Sequence, residues 1–246
     1  MIIGNKVYYR SKCYNSLQWA KSKIDSVEDG TIFLADFHEY TKGRQNRIWH
    51  FDTEQLIVTI VLKPQILNND FSSLINYLAM AISLGILNPL KKFNAKLKWP
   101  NDFVIERKKI GGMLGEVVWK TKKPLGIIYG FAINVNNKIE SNVEFSNKAT
   151  SLYEILNEKI DKENLYNQVI NSIDDFYKKW LNSEFEYIFN NWKKNQFYLG
   201  KYITIHKENG RIQKGILDDL LSNGNLILKI NSKKKVIPFS VIENFE

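Results

Sequence analysis

Residues 98–116, which read KWPNDFVIERKKIGGMLGE, contain residue types that can act on a reactive substrate. Pro100 and Asn101 favour a tight turn, because proline fixes its own φ and asparagine bonds to its neighbouring backbone. Asp102 follows the turn, so its carboxylate is expected at the mouth of the apolar strand after it. The same pattern is typical of an ordinary hairpin turn with a solvated acid, and these residues alone leave that alternative open.

A cation follows further along the same segment. Lys109 stands beside Gly111 and Gly112, whose lack of a side chain lets backbone amides approach a ligand closely. A compact ammonium group in such a place suits a carboxylate or a phosphate. Most lysines are ordinary surface residues, so Lys109 taken alone does not decide between a ligand-binding lysine and a solvated one.

A second basic stretch, residues 41–51, reads TKGRQNRIWHF. Gly43 permits backbone shapes closed to other residues, and Arg44 and Arg47 supply planar donors that fit phosphate or carboxylate. Trp49 offers a face on which a purine can stack. An ordinary basic loop is the alternative, since short basic motifs have many false matches. Together with the Asp turn and the Lys-Gly-Gly segment, the stretch predicts a site for an acid and a nucleotide.

The composition describes a chain with a substantial core and an excess of basic residues. Of its 246 residues, 44% are hydrophobic and 13% are aromatic, which excludes intrinsic disorder. The net charge of +9 indicates either lysines spread over a solvated surface or an anionic partner. The lysines are scattered rather than massed in one block, which favours the first interpretation.

Cysteine and histidine usage excludes some classes of site. Cys13 is the single cysteine, so an internal disulfide is excluded and a reducing compartment is favoured. His38, His50 and His206 have unrelated spacings and form no zinc pattern. No apolar run typical of a signal peptide or a membrane span stands out. We therefore expect a cytoplasmic protein that does not enter a membrane.

Hydrophobic periodicity predicts helices and strands in alternation over the first 195 residues. Helices are predicted over 15–27, 72–87, 149–156, 161–181 and 184–195. Strands are predicted over 30–37, 56–62, 97–99, 102–106, 113–119 and 125–135. Ser72 or Ser73 is expected to cap the second helix, and Asn88-Pro89 is expected to end it.

Near residue 196 the pattern changes to short alternating strands with tight turns. Asn209-Gly210 and Asn223-Gly224 are strong hairpin signals. This stretch predicts a small β-barrel of the SH3 type. The predicted domains are therefore 1–195, which carries the site, and 196–246.

The segment Lys98–Asp102, followed by Arg107–Glu116, resembles the signature of biotin protein ligases. Further along, Ile133–Val135 resembles the G-I-N-V segment of that family. Ala149–Leu152 resembles the T-S-L that opens one of its later helices. The small C-terminal β domain also fits, so the resemblance extends over essentially the whole chain.

The resemblance implies an α+β fold and a two-step ligase reaction. The fold is a mixed β-sheet packed with helices, of the class II synthetase-like biotin and lipoate ligase type, followed by a small SH3-like β-barrel. Such an enzyme makes biotinyl-5′-AMP from biotin and ATP with Mg²⁺. It then passes biotin to one lysine of the biotin carboxyl carrier domain of a carboxylase. The first step joins two anions, so positioned cations and a lid that excludes water must supply most of the catalysis.

Roles for single residues rest on the resemblance alone. Lys109 matches the lysine that binds the biotin carboxylate and the forming acyl phosphate. Asp102 matches an aspartate that lies near magnesium and the phosphates or activates the acceptor amine, and Arg44 is the third catalytic candidate. The biotin-binding candidates are Ser16, Gln18, His38, Gly43, Lys109, Gly112 and Leu114. The adenylate-binding candidates are Arg44, Arg47, Trp49, Asn101 and Asn134.

The chain departs from the family pattern in three places. The family's loop usually reads G-R-G-R-x-G-R-x-W, whereas residues 41–49 lack two of its glycines, which predicts easier release of the adenylate. A glutamine that commonly precedes this loop and contacts the biotin ureido group is replaced by His38 in an ungapped comparison. The family's S-T-N has only Asn15–Gln18 as a counterpart, in which Ser16 is the preferred biotin contact.

Other readings of the sequence differ in partner or substrate. Some family members carry an N-terminal winged helix that represses transcription. The catalytic segment begins early in this chain, so we expect no such domain and no DNA partner, while a homodimer is possible. A lipoate or octanoate ligase of the same fold is the first alternative, and the KWPND motif argues against it. A basic module that binds nucleic acid is the second, and only the net charge supports it.

Overall fold

The computed structural model describes residues 1–40, 51–65, 71–139 and 148–245. Within these ranges the strands form two β-sheets, one of seven strands and one of five. Helices pack on both faces of the larger sheet, and the smaller sheet follows them in the chain.

The larger sheet is mixed and has the strand order β1-β2-β3-β7-β6-β5-β4. β1 and β2 run parallel, and the other neighbouring strands are antiparallel. Its strands are β1 (Val7–Cys13), β2 (Thr31–His38), β3 (Leu56–Leu62), β4 (Lys96–Lys98), β5 (Asp102–Ile105), β6 (Lys108–Lys120) and β7 (Lys123–Ile133). The unbroken apolar run of β3 lies in the middle of the sheet, as expected of a strand that is buried on both faces.

The helices follow the predicted positions with shifted ends. They are α1 (Ser16–Lys23), α2 (Phe71–Leu90), α3 (Leu152–Leu156), α4 (Lys162–Leu181) and α5 (Phe185–Lys194), with short 3-10 helices at Ile24–Ser26, Lys91–Phe93 and Phe239–Val241. Asn15 is the N-cap of α1, because its side chain accepts a hydrogen bond from the N–H of Gln18. Ser151 caps α3 in the same way, so that helix is shorter than predicted.

Two hydrophobic clusters hold the helices on the sheet. On one face, α2 and α4 pack against each other and against residues such as Ile60. Their approach is so close that a Cβ on Gly85 would lie 2.5 Å from the Cα of Ile173. On the other face, Trp19 of α1 packs edge-on against Phe33 of β2.

The predicted ends of α2 were wrong. The helix begins at Phe71, so Ser72 and Ser73 lie inside its first turn and neither is the N-cap. It also continues through Pro89 to Leu90, whose burial in the core favours one more turn. By length and composition, the stretch Phe71–Phe93 is the one helical segment of the described ranges that could cross a membrane. More than half of it is buried against the rest of the fold, which is the arrangement of a core helix.

The smaller sheet is antiparallel and has the order β11-β10-β9-β8-β12. Its strands are β8 (Tyr202–Lys207), β9 (Ile212–Leu220), β10 (Leu226–Ile230), β11 (Lys233–Ile237) and β12 (Ile242–Phe245). Gly210 and Gly224 have positive φ in the first two hairpin turns, which confirms both predicted turns. The third turn uses Asn231 and Ser232, both also at positive φ. A domain boundary after residue 195 stays a prediction.

Candidate active site

One face of the larger sheet carries a patch of small residues beside α1. Residues directly opposite each other in neighbouring strands share a face. One such row contains Thr59, Gly130 and Leu114, and the next contains Ile57, Ala132, Gly112 and Asp102. Gly112, Gly130 and Ala132 are only half-buried although they lie in central strands. Gly112, Leu114, Gly130 and Ala132 therefore form a partly exposed surface with few large side chains, which we call the cradle.

The first turn of α1 closes one side of the cradle. Leu17 lies so close to Gly130 that an added Cβ there would be 2.9 Å from the Leu17 Cδ2 atom. The buried Ser16 hydroxyl lies 2.8 Å from the hydroxyl of Thr59, which is in the same row as Gly130. The structure thus brings Ser16, a predicted biotin contact, to the edge of the cradle. Gln18 has an exposed side chain, and no contact places it in the cradle among the described residues.

A β-bulge directs Lys109 towards the cradle. Lys109 and Gly112 are three residues apart, so a regular strand would place their side chains on opposite faces. The pairing of β6 with β5 skips Ile110, and this extra residue brings Lys109 to the face of Gly112. The Lys109 ammonium then lies 2.6 Å from Oδ1 of Asp102, so the two predicted catalytic residues meet.

The ion pair of Lys109 and Asp102 borders the space above Gly112. A Cβ on Gly112 would lie 3.2 Å from Asp102 Oδ1 and 3.3 Å from Lys109 Nζ. The Lys109 side chain is 34% exposed and that of Asp102 is 23% exposed, so a ligand in the cradle can reach both. The ammonium can bind an anion there through charge-assisted hydrogen bonds, while the carboxylate can serve a cation or a proton.

The turn before Asp102 is fastened to β6 by a pair of hydrogen bonds. The Asn101 side chain donates from Nδ2 to the carbonyl of Met113 at 2.7 Å, and the Met113 N–H donates to the Asn101 carbonyl at 2.9 Å. The preceding Trp99–Pro100 peptide bond is cis. The predicted contact of Asn101 with the adenylate stays a prediction, and the structure shows that Asn101 holds the turn before Asp102 in place.

Asn134, another predicted adenylate contact, lies in a buried hydrogen-bond chain behind Lys109. Its Oδ1 accepts from the Gln55 side chain and its Nδ2 donates to the Thr150 carbonyl, both at 2.9 Å. The Thr150 N–H donates to the Lys109 carbonyl, and the Asn134 N–H donates to the Ile110 carbonyl. These hydrogen bonds therefore support the bulged end of β6. Only 4% of Asn134 is exposed.

His38 is buried at the end of β2 and has no polar partner among the described residues. Only 2% of the residue is exposed, and neither ring nitrogen has a hydrogen bond to any residue that the structure describes. The ring lies against Phe51, with 5.4 Å between the centroids, and His38 pairs with Cys13 of β1. Burial lowers the pKa of the imidazole below its usual value, so the neutral form is present at pH 7. A buried imidazole without partners is a candidate for a ligand contact.

Several predicted site residues cannot be placed. Gly43, Arg44, Arg47 and Trp49 fall on residues 41–50 and lie outside the described residues. Over the described ranges, no three acidic, histidine or cysteine side chains are grouped so as to hold a metal ion. The contact of Asp102 with magnesium therefore stays a prediction.

Comparison with known proteins identifies the family. Residues 7–134, slightly more than half of the chain, match the model of the Biotin/lipoate A/B protein ligase family. The chain belongs to this family. The resemblance read from the KWPND segment is thereby confirmed.

Relatives of this family member include named ligases. Bifunctional ligase/repressor BirA of Bacillus subtilis (strain 168) is 27% identical over 247 residues, which cover 98% of this chain and 75% of that protein. Biotin--[acetyl-CoA-carboxylase] ligase of Mycobacterium tuberculosis (strain ATCC 25618 / H37Rv) is 23% identical over 213 residues, which cover 85% of this chain and 77% of that protein.

Solved structures of similar chains have the same fold. The biotin protein ligase from Aquifex aeolicus in complex with biotin and ATP has a TM-score of 0.82 at 24% identity, and the match covers 98% of this chain and 99% of that chain. The enzyme from Leishmania major in complex with biotinyl-5-AMP has a TM-score of 0.62 at 16% identity, with 95% and 99% covered. The predicted fold class, a mixed sheet packed with helices and followed by a small SH3-like β-sheet, is confirmed.

The sequence analysis missed three residues that this family member uses to build the site. Thr59 is the one hydroxyl side chain in the apolar run of β3, and this exception could have pointed to it. Thr150 belongs to the T-S-L segment that carried the resemblance, although it was not predicted as a site residue. Gln55 carries no comparable signal, because its role depends on Asn134, which is distant from it in the chain.

Proposed function

We propose that the protein is a biotin protein ligase. It activates biotin with ATP to biotinyl-5′-AMP and transfers the biotinyl group to a lysine of a biotin carboxyl carrier domain of a carboxylase. The observation that carries this proposal is the Lys109–Asp102 ion pair, which a β-bulge holds beside Gly112 of the cradle. The alignment of nearly the whole chain with ligases supports it.

Biotin occupies the cradle in this proposal. Its fused rings are compact and mostly apolar, so they fit a floor without large side chains, with Leu114 as a wall. The ureido edge of biotin needs hydrogen bonds, and the Ser16 hydroxyl, which already contacts Thr59, is the first candidate. His38 is the second, because its ring nitrogens have no partner among the described residues. Gln18 and Gly43 are the remaining candidates from the sequence.

The first half-reaction forms a bond between the biotin carboxylate and the α-phosphorus of ATP. The bond from that phosphorus to the bridging oxygen breaks, and pyrophosphate leaves. Lys109 offsets the repulsion between the two anions by bonding to the carboxylate and the phosphate. For this, the Lys109 ammonium exchanges its ion pair with Asp102 for these bonds. Arg44 acts with Lys109 on the phosphates. The further nucleotide contacts that we propose are Arg47, Trp49, Asn101 and Asn134.

Asp102 fits a magnesium contact. Mg²⁺ is usually bound by one or two carboxylates together with substrate phosphates and waters, so a single aspartate suffices. The Asp102 carboxylate is partly exposed beside the cradle, and its Oδ1 makes the contact with Lys109. An ion held by Asp102 would neutralise negative charge on the triphosphate.

The second half-reaction forms an amide bond between the carrier lysine and the carbonyl carbon of biotin. The bond from that carbon to the phosphate oxygen breaks, and AMP leaves. The attacking amine must lose a proton, and Asp102 is the proposed acceptor because its carboxylate borders the reacting end of the cradle. We place this reaction in the cytoplasm, where ATP is available and where a free thiol such as that of Cys13 persists.

A lipoate ligase is the second candidate, because the family description names both acids. Biotin is favoured by the relatives whose names specify it. The two acids differ in the ring that the cradle must accept, and a substrate test separates them.

The test is pyrophosphate release from ATP, measured with biotin, with lipoate and without an acid. We expect release that requires both biotin and Mg²⁺. Lys109→Ala should abolish it, whereas Lys108→Ala, at an exposed neighbouring lysine, should not. If release depends on lipoate instead of biotin, the proposed substrate changes. If neither acid supports release, the ligase assignment is refuted.

A further inference from the structure

Trp99 connects the smaller sheet to the turn that carries Asp102. Only 4% of Trp99 is exposed. Its indole Nε1 donates to the carbonyl of Gly224, in the turn between β9 and β10, at 3.1 Å. The ring packs edge-on against Phe239, with 5.2 Å between centroids, and lies 5.7 Å from the ring of Phe245. The Trp99 side chain is therefore held by residues that belong to the C-terminal part of the chain.

The two residues before Trp99 are held by the same part of the chain. The Leu97 N–H donates to the Asn195 carbonyl at 3.0 Å, and the Phe197 N–H donates to the Leu97 carbonyl at 2.7 Å. The Lys98 ammonium lies over the ring of Phe245 at 5.7 Å from its centroid, within the range of a cation–π interaction. Main-chain and side-chain contacts thus fix β4 against the C-terminal residues.

Few free torsions separate this anchor from the catalytic pair. Only Pro100 and Asn101 lie between Trp99 and Asp102, and proline fixes its own φ. On the far side of the turn, Asn101 is bonded to β6, and Asp102 lies 2.6 Å from Lys109. If Trp99 moves, few backbone torsions can compensate, so the Asp102 carboxylate should move as well.

We propose that Trp99 is a positioning residue through which the C-terminal sheet sets the place of Asp102 relative to Lys109. This inference rests on the proposed ligase function and goes beyond it, because it makes the smaller sheet part of the activation site. Trp99 itself touches no substrate in this account. It acts on the rate of adenylate formation through the turn, and not on the cradle that binds the biotin rings.

The structure offers a matched control in Trp180. Its indole Nε1 donates to the carbonyl of Leu74 at 3.0 Å, only 5% of it is exposed, and it packs against Tyr177 and Phe185. This bond joins α4 to α2, on the face of the larger sheet that these two helices cover. Trp99→Phe and Trp180→Phe each remove one buried indole hydrogen bond and keep an aromatic ring, so their effects on thermal unfolding should be similar.

The experiment compares biotin-dependent exchange of pyrophosphate into ATP in the full-length wild type and both variants, well below their unfolding temperatures. We expect Trp99→Phe to lower kcat by about tenfold, as a small displacement of a catalytic group does. Its Kd for biotin without ATP should change less than kcat does. Trp180→Phe should keep the wild-type kcat.

Phe239→Leu provides a second variant if Trp99→Phe does not fold. Phe239 is 41% exposed, so its replacement should leave the fold intact while loosening the packing on Trp99. It should lower kcat in the same direction and to a smaller extent. If the wild type is active and Trp99→Phe and Phe239→Leu have the same kcat as Trp180→Phe, the positioning role of Trp99 is refuted and the proposed function is not. A wild type without biotin-dependent exchange would overturn the proposed function itself.

Discussion

Replacement of Gly112 by alanine should separate activity from stability in this protein. The new methyl carbon would lie 3.2 Å from Asp102 Oδ1 and 3.3 Å from Lys109 Nζ, closer than side chains normally approach. Both neighbours are the ends of side chains and can move by a few tenths of an ångström, so the fold should tolerate the change. The methyl group also occupies the floor of the cradle, where we place biotin.

The expected loss of activity follows from the displaced ion pair and from the methyl group in the cradle. Displacing the ion pair while filling the cradle should lower kcat/KM for adenylate formation by roughly 10- to 100-fold. This corresponds to about 1.4 to 2.7 kcal/mol of transition-state stabilisation. The gain in backbone rigidity from glycine to alanine is worth about 0.5–1 kcal/mol and offsets part of the crowding, so the free energy of unfolding should change little.

Gly111→Ala is the matched control, because its methyl carbon would lie 2.6 Å from the backbone carbonyl oxygen of Ala132. That oxygen belongs to β7 and cannot move without disturbing the pairing of β6 with β7. We expect a loss of about 1–3 kcal/mol of unfolding free energy, as overpacking typically produces. Pyrophosphate exchange and urea unfolding of both variants test the reasoning. A Gly112→Ala variant with wild-type kcat/KM, or with the instability of Gly111→Ala, would refute it.

Two further predictions concern stability. Thr121 has a φ of 55° in the turn between β6 and β7, so Thr121→Asn should raise the unfolding free energy by roughly 1 kcal/mol in urea, whereas Lys122→Asn in the same turn should not. Burial lowers the pKa of His38, so its contribution to stability is complete above the ordinary histidine pKa of about 6.5 and is lost as the pH falls towards the lower folded-state pKa. In His38→Gln the unfolding temperature should fall less between pH 7 and 5 than in the wild type. An unchanged pH profile would show that His38 does not cause this loss of stability.

The fold was largely predictable because its elements have strong local patterns. The β-branched run of β3 matched the predicted strand at both ends. The Asn-Gly pairs at 209–210 and 223–224 marked two hairpins correctly, since glycine adopts the positive φ that these turns require. The C-terminal end of α2 was missed because burial of Leu90 outweighed the helix-breaking tendency of Pro89. Local signals therefore located the elements, and tertiary contacts set their limits.

Sequence by itself determined the chemical groups of the site and the family to which the chain belongs. Residues 98–116 carry Asp102, Lys109 and the glycines within nineteen residues, and the resemblance to the family gave these groups their predicted roles. Only the tertiary structure decided how these groups face one another. The bulge at Ile110 turns Lys109 onto the face of Asp102, and the register of β6 and β7 assembles the cradle from residues in separate strands. Strand pairing is a long-range property, so the pattern within one segment does not contain it.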